Sequence, residues 1–537
     1  MMRYCFYLWL RLGNNKFENL REFLILPSKR TLQIFREHHV PEGDGYRRDV
    51  FLQLQKLWSD VSKSRADWDC ILSWDATGYA KKIKFDKHSG KLMGFACSPE
   101  SFSVHHMYAN KVWRSHSYSV STLTQSRLHF VLITHQVCCF LVSSPELDIK
   151  IRFPVAYYHC STLDSEDIRR QWEEVMHGLD SIGLNVVALV CDGASEHAKF
   201  FNLVLEDFAD EDPTLLVRRG GAWAVSDAPH LMKKFRNNWM SSGLKAKHTR
   251  LLSLEDNFIM WDIMAAVYKL ATTLEDGTSR MFRSLQKLTW DVIEPCSIMK
   301  LRVSLATVPF SKPVRDFVRC NINQVSHLAQ VRVQDVEATL EFMTAVDELW
   351  QIMNSRVPIT WSEEVDDNGN AIGLRDKCNT DKGFTLHFFA KKFGVSVNYL
   401  IEVSGLESGD SVPAPGTELI VDRLDRLVQI ASFFMKWKTQ VDSQIHLTKK
   451  QRERMFITHW LYDDLRRCCF SLVGLMKMYV TKSNRKWIPR RFNQDPIESV
   501  FGQIRNLAGS NSNMTFQEVD IGFSELRALG LKKIIRT

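Results

Sequence analysis

The chain of 537 residues lacks any long apolar run. No window approaches the ~18 consecutive apolar residues of a membrane span. The apolar opening from Tyr4 to Leu10 meets Arg11 at once and has no small-residue cleavage site. Neither a membrane span nor secretion is expected. Twelve cysteines are present, with adjacent pairs at Cys138/Cys139 and Cys468/Cys469, but there is no Cys-x-x-Cys and no Cys/His cluster at zinc-ligand spacing. Reduced, buried thiols are expected, because free cysteine is among the most buried residue types. A Gly-x-x-x-x-Gly-Lys-Ser/Thr phosphate loop, a Gly-x-Ser-x-Gly elbow and a metalloprotease helix are also missing. So are internal repeats and low-complexity tracts. Charge of one sign is scarce too: 70 Lys plus Arg stand against 62 Asp plus Glu, a net charge of +8. With 45% hydrophobic and 25% charged residues the composition is that of a globular protein, and it excludes disordered, collagenous and coiled-coil chains.

What is present is a change of period along the chain. Residues 1–66 carry helical patches such as Val50 to Trp58 and end in a charged connector. From Trp68 to Tyr79 the pattern is that of a strand, and Lys82-Ile83-Lys84-Phe85 with Leu92-Met93-Gly94-Phe95 flanks a turn, predicting a hairpin. Phe130 to Val142 predicts a third strand, and Leu163 to Leu184 an amphipathic helix with an acidic start at Asp164 and Glu166. Asn185 to Cys191 is continuously apolar and rich in β-branched residues, as in a central strand covered on both faces. A helix over Glu196–Glu206, a strand over Ala222–Val225 and a helix over His230–Trp239 follow. This order, βββαβαβα, predicts an α/β fold: a ribonuclease H-like mixed sheet flanked by helices. Residues 67–243 would form its first part. Residues 244–485, mostly helical with polar loops at 363–370 and 404–417, would be an inserted helical domain. Residues 486–537 would bring the final acidic helix and the C-terminal tail.

Metal-dependent phosphodiester chemistry needs carboxylates converging on divalent ions ~4 Å apart. Asp75 on the first strand, Asp192 after the fourth and Glu498 on the last helix stand at suitable places, though no local motif unites them. Each has a plainer alternative. Asp192-Gly193 is also an ordinary turn, Asp75 could pair with Lys81 or Lys82, and Asp495 could cap the helix that Pro496 opens, with Glu498 at its third position. Asp227 before Pro229 is an N-cap, and with His230 it forms an alternative metal pair. His135 and His159 read as core or surface residues. From Lys477 to Arg491 six basic residues occur without an acid, and Tyr479, Trp487 and Phe492 lie among or beside them. Of these, Lys482, Arg485, Lys486, Arg490 and Arg491 are the candidate DNA contacts; the alternatives are a solvated face or an import signal.

Several segments resemble the P-element and THAP-domain transposases. They are Phe85 to Phe95, Val190-Cys191-Asp192-Gly193-Ala194-Ser195, Ser226-Asp227-Ala228-Pro229-His230 on to Trp239, and Asn493-Gln494-Asp495-Pro496-Ile497-Glu498. Leu26 to Leu32, Lys300 to Ala306 and Leu349 to Ser355 extend the likeness, in order, along most of the chain. The resemblance implies a cut-and-paste DNA transposase whose ribonuclease H-like core is interrupted by a helical, GTP-binding-type insertion. By that resemblance Asp75, Asp192 and Glu498 would be catalytic and hold Mg²⁺ or Mn²⁺, with Asp495 assisting. DNA would be the partner, in a homo-oligomer in the nucleus. Two departures stand out: Asp75-Ala76-Thr77 occupies the place where the family often shows Asp-Glu-Met, and the Cys-x-Cys/Cys-His pattern of the N-terminal THAP zinc module is not found. The alternatives are a silent, domesticated nuclear DNA- or protein-binding module and a ribonuclease H-like nuclease without sequence preference.

Overall fold

The computed structural model describes residues 2–39, 43–62, 68–80, 84–85, 92–93, 135–146, 148–204, 222–273, 285–359, 376–379, 386, 389–390, 395, 397–404, 418–421, 423–483, 487–507 and 514–530. Five strands make the main sheet: β1 (Asp69–Gly78), β2 (Gln136–Ser143), β3 (Arg152–Cys160), β4 (Asn185–Cys191) and β5 (Trp223–Ser226). Their spatial order is β3-β2-β1-β4-β5. The first three strands run antiparallel to their neighbours, and β4 and β5 then continue parallel to β1. This is the mixed sheet expected from the sequence.

Among the described residues the helices of ten residues or more are, in chain order, α1 (Met2–Arg21), α2 (Lys29–His39), α3 (Arg48–Val61), α4 (Ser165–Ser181), α5 (Ser195–Val204), α6 (Ala228–Met240), α7 (Asp262–Thr273), α8 (Val333–Met353), α9 (Arg423–Asp442), α10 (His459–Ser483), α11 (Asp495–Leu507) and α12 (Phe516–Gly530). None is long and apolar enough to cross a membrane.

The alternation of side chains along a strand explains why β2 reads as unbroken apolar sequence. Cys138, Phe140 and Val142 face a core built with α3, α4 and α5. Val137, Cys139 and Leu141 face the opposite side and meet Ile497, Val500, Phe501 and Ile504 of α11. Those four residues recur at i, i+3, i+4 and i+7, the stripe of an amphipathic helix. α4 starts where its side chains dictate, since the Asp164 carboxylate accepts from Asp167 N–H at 2.8 Å.

Two sequence expectations are corrected in detail. The hairpin over 82–95 exists as Lys84–Phe85 paired with Leu92–Met93, but it forms its own ribbon outside the main sheet. The third member of the sheet is β3, which carries Pro154 and was not foreseen as a strand. Proline is tolerated there because β3 is an edge strand and its pairing with β2 slips at Phe140/Leu141, opposite Ala156 and Pro154. The strand predicted over 130–142 spans Gln136–Ser143; residues 130–134 lie outside the described part.

Beyond α6 the chain is mostly helical, as expected, but two small antiparallel pairs interrupt it: Leu252–Leu254 with Asn257–Ile259, and Asp376–Asn379 with Glu418–Val421. Of the loops anticipated at 363–370 and 404–417, Ser404 ends a short helix, Val397–Ser404, and the rest falls outside the described residues. The insertion rests directly on the sheet, with α10 against β5. A Cβ added at Gly474 of α10 would stand 2.1 Å from the buried Trp223 ring of β5. Gly474→Val is therefore expected to destabilise the protein by about 1–3 kcal/mol, the usual cost of overpacking, measured by chemical denaturation. An unchanged midpoint would show that α10 does not seat on Trp223. Of the ten described cysteines, all free, only Cys296 and Cys320 are exposed, which agrees with the expected buried thiols.

Candidate active site

Strand register brings the first two acids together. β1 and β4 run parallel with Ser73 opposite Val190, so Asp75, still within β1, and Asp192, just past the end of β4, come side by side, each two residues further on. The same logic adds a third aspartate, because Cys191 lies opposite Ser226 and Asp227 follows directly after β5. Crevices outside the carboxyl ends of parallel strands are where open α/β sheets place ligands.

The three aspartates differ in what holds them. Asp227 is 1% exposed and is committed to structure: its carboxylate accepts from His230 N–H at 3.0 Å and from Gln494 N–H at 2.8 Å, and it pairs with His230 Nδ1 at 3.0 Å. The N-cap reading of Asp227 is correct. Asp192 Oδ1 accepts from His197 Nδ1–H and from Ala194 N–H at 3.1 Å. Burial pushes the Asp192 carboxyl up, but the bond to His197 and the charges of His197 and His230 outweigh it and hold the group below the usual carboxylate range. Asp75 accepts from Ala76 N–H at 2.7 Å. Burial, then the neighbouring Asp192 charge, lifts its pKa to about 6. The partners Lys81 and Lys82 that the plainer reading offered lie outside the described residues.

Glu498 arrives from the far end of the chain on the first turn of α11. The turn is keyed to the sheet by Gln494, fully buried, whose Nε2 donates to the Trp74 carbonyl at 2.8 Å while its N–H binds Asp227. Glu498 thus reaches the same end of the sheet as Asp75. Burial, followed by the Asp227 charge, raises its pKa, with His230, Lys233 and Asp495 also acting on it. Lys233 feels Asp227, Glu498, Asp192 and Asp75. His230 and Lys233, one turn apart on α6, are therefore cations shared by the aspartate pair and Glu498.

The donor set consists of hard carboxylates, one of which burial and its neighbour's charge make harder to ionise. That chemistry fits Mg²⁺ or Mn²⁺. The side chains as they stand do not close on an ion: among the described residues no three His, Cys, Asp or Glu groups are placed to hold one.

Asp495 and the basic residues stand differently from the sequence reading. Asp495 does not cap α11; its carboxylate takes Arg490 at 3.0 Å, while its own N–H is bound by Asn493 Oδ1 at 3.2 Å. Arg491 Nη1 donates to the carbonyls of Ser144 at 2.9 Å, Ile149 at 3.2 Å and Glu146, which makes it an anchor for the β2–β3 connection rather than a freely presented phosphate contact. The side chains of Lys482, Arg485 and Lys486 lie outside the described residues. His159 is a core residue, bonded to Asp520 and Tyr79 at 2.9 Å each.

Sequence reading missed the group that joins the insertion to this site. Asp464 of α10, buried, accepts from Ser226 Oγ at 3.0 Å, Lys234 Nζ at 2.7 Å and Arg467 Nη1 at 3.2 Å. Lys234 Nζ also binds the carbonyl of Gly193, the residue after Asp192. A Cβ at Gly193 would come within 2.1 Å of the Asp464 carboxylate, so only glycine allows the approach. Asp464 lies 238 residues from Ser226 and carries no local motif that could have revealed it.

Two family models match this chain: the TNP-like RNase H N-terminal domain over residues 124–204 and the TNP-like GTP-binding insertion domain over 229–364. No curated protein matches it by sequence. Among solved structures, the Drosophila P element transposase strand transfer complex matches with a TM-score of 0.63 at 16% identity, over 98% of this chain and 91% of that chain. The fold is ribonuclease H-like, and the matched segments are TNP-like domains, one of them of the GTP-binding insertion type. Within that class, the P-element transposase family, which the motifs resemble, is the one these findings support.

Proposed function

We propose that this chain is a P-element-like DNA transposase, or a protein derived from one, which cuts and joins phosphodiester bonds at Asp75, Asp192 and Glu498. The observation that carries the reading is the parallel register of β1 and β4, which sets Asp75 beside Asp192. Asp192, held ionised by His197, and Asp75, whose charge Asp192 disfavours, are the residues to hold a divalent cation; Glu498 joins them from α11. Mg²⁺ or Mn²⁺ bound there would supply an activated oxygen nucleophile and steady the leaving oxygen. Lys233 and His230 offset the carboxylate charge. DNA is the proposed partner, along the basic run containing Lys482, Arg485, Lys486 and Arg490. The matched insertion domain makes GTP the second proposed ligand. A homo-oligomer and a nuclear location complete the proposal.

A second reading, a silent binding module on the same fold, is favoured because among the described residues no three acids are placed to hold an ion, while His230 and Lys233 act on the carboxylates. Nicking of supercoiled plasmid in Mg²⁺ or Mn²⁺ separates the two. The wild-type chain is expected to nick and Asp192→Asn to lose the activity. If neither folded, DNA-bound protein nicks, the binding module is correct. Joined products would distinguish a transposase from a nuclease that only cuts.

A further inference from the structure

The Asp192 side chain is held from one direction only. His197, on the first turn of α5, is 4% exposed, and its Nδ1 sits on Asp192 Oδ1. The Asp192 carbonyl is 3.3 Å from the same nitrogen. The imidazole cannot swing away, because the Trp74 indole meets it edge-on with ring centroids 6.0 Å apart, and Trp74 in turn packs on Phe200 and Phe201 of the same helix. Trp74 is the residue before Asp75. One buried ring thus touches the Asp192 carboxylate on one side and the neighbour of Asp75 on the other. Ala194 N–H takes the remaining acceptor capacity of Oδ1, and Oδ2 receives no donor among the described contacts.

We propose that His197 is the positioning residue for Asp192: its Nδ1–H fixes Oδ1 and leaves Oδ2 as the oxygen offered to a divalent cation. The inference rests on the metal-dependent reading of the site. Groups that orient a metal ligand from behind raise affinity by restricting the ligand to its binding rotamer, and losing one typically weakens metal binding about 10- to 100-fold. A plain helix-start contact would not show that effect, since it would serve stability alone.

Two substitutions separate the roles because both are polar and differ in where they put an N–H. In His197→Asn the amide nitrogen falls close to the place of Nδ1; in His197→Gln it reaches about as far as Nε2. Binding of Mn²⁺ to the folded full-length chain is measured by titration calorimetry, with thermal melting beside it. His197→Gln is expected to weaken Mn²⁺ about 10- to 100-fold, and His197→Asn to stay within about threefold of wild type. Equal affinity in wild type and His197→Gln would overturn the role of His197, and so would an equal loss in both variants, because donor position would then be irrelevant. Asp192→Asn tests the underlying reading separately. If wild type takes up no Mn²⁺, or Asp192→Asn binds it as well as wild type, the metal site fails and the inference with it.

Discussion

Asp464→Ala is expected to lower stability by about 3–5 kcal/mol, the range found when one partner of a buried ion pair is removed. The carboxylate is the shared acceptor of Ser226, Lys234 and Arg467. Its side chain is 3% exposed and that of Arg467 8%, so the arginine would be left charged and buried without its bonded carboxylate. Arg467 would keep the Phe201 face, 5.5 Å away, and the more distant charge of Asp463 as its remaining electrostatic contacts. Asp464→Asn, which keeps the acceptor oxygen without the charge, should fall between wild type and alanine. Urea denaturation monitored by tryptophan fluorescence reads the effect, and a loss under about 1 kcal/mol would place Asp464 with ordinary surface ion pairs.

The neighbouring acid should behave in the opposite way. Asp75→Asn is expected to stabilise the folded protein above pH 6, because Asp75 is forced to ionise in a place that disfavours its charge. The folded pKa, about 6, lies above the ordinary 3.8. The folded state therefore holds the proton more tightly, and stability is lost as pH rises through the interval between those values. Above pH 6 the penalty is on the order of 2–3 kcal/mol. Below pH 4 both states are protonated and the variant should melt with wild type. The bond from Ala76 N–H survives, since asparagine keeps the accepting oxygen. Melting curves from pH 4 to 8 check this: a difference independent of pH, or no gain at pH 7, would mean that burial and Asp192 do not disfavour the Asp75 charge. Opposite signs at two aspartates near one loop distinguish a residue kept for chemistry from one kept for structure.

Those residues also mark how far the sequence is legible. β4 was readable because a strand covered on both faces has no polar positions to break its run. The start of α6 was readable because Asp227 and Pro229 act within one turn, and α11 because its apolar residues follow one helical stripe. β3 was hidden by Pro154, whose exclusion from strands is relaxed at an edge and a register slip. Asp75 and Asp192 could be named individually, but their adjacency is a property of register between strands more than a hundred residues apart. Asp464 was illegible for a related reason, since Ser226 and Lys234 lie more than two hundred residues away, and His197 because its contact with Asp192, five residues back, follows no motif. The basic run shows a further limit, since sequence names Arg490 and Arg491 as candidate DNA contacts without their bonds to Asp495 and to backbone carbonyls.

The late entry of α11 has a consequence for biosynthesis. Asp75 and Asp192 are made early, but Glu498 and the Gln494 amide that docks on Trp74 follow only after the whole insertion, 498 − 75 = 423 residues behind Asp75. At roughly 5–20 residues per second, that interval lasts on the order of 20–80 s on the ribosome. Throughout it, the nascent chain can pair its strands while the edge of the site that α11 supplies is still unmade. Any product stopped short of Gln494 would carry both aspartates and the insertion yet be unable to finish the site, so the order of synthesis itself delays the assembly of the acids until the rest of the protein exists.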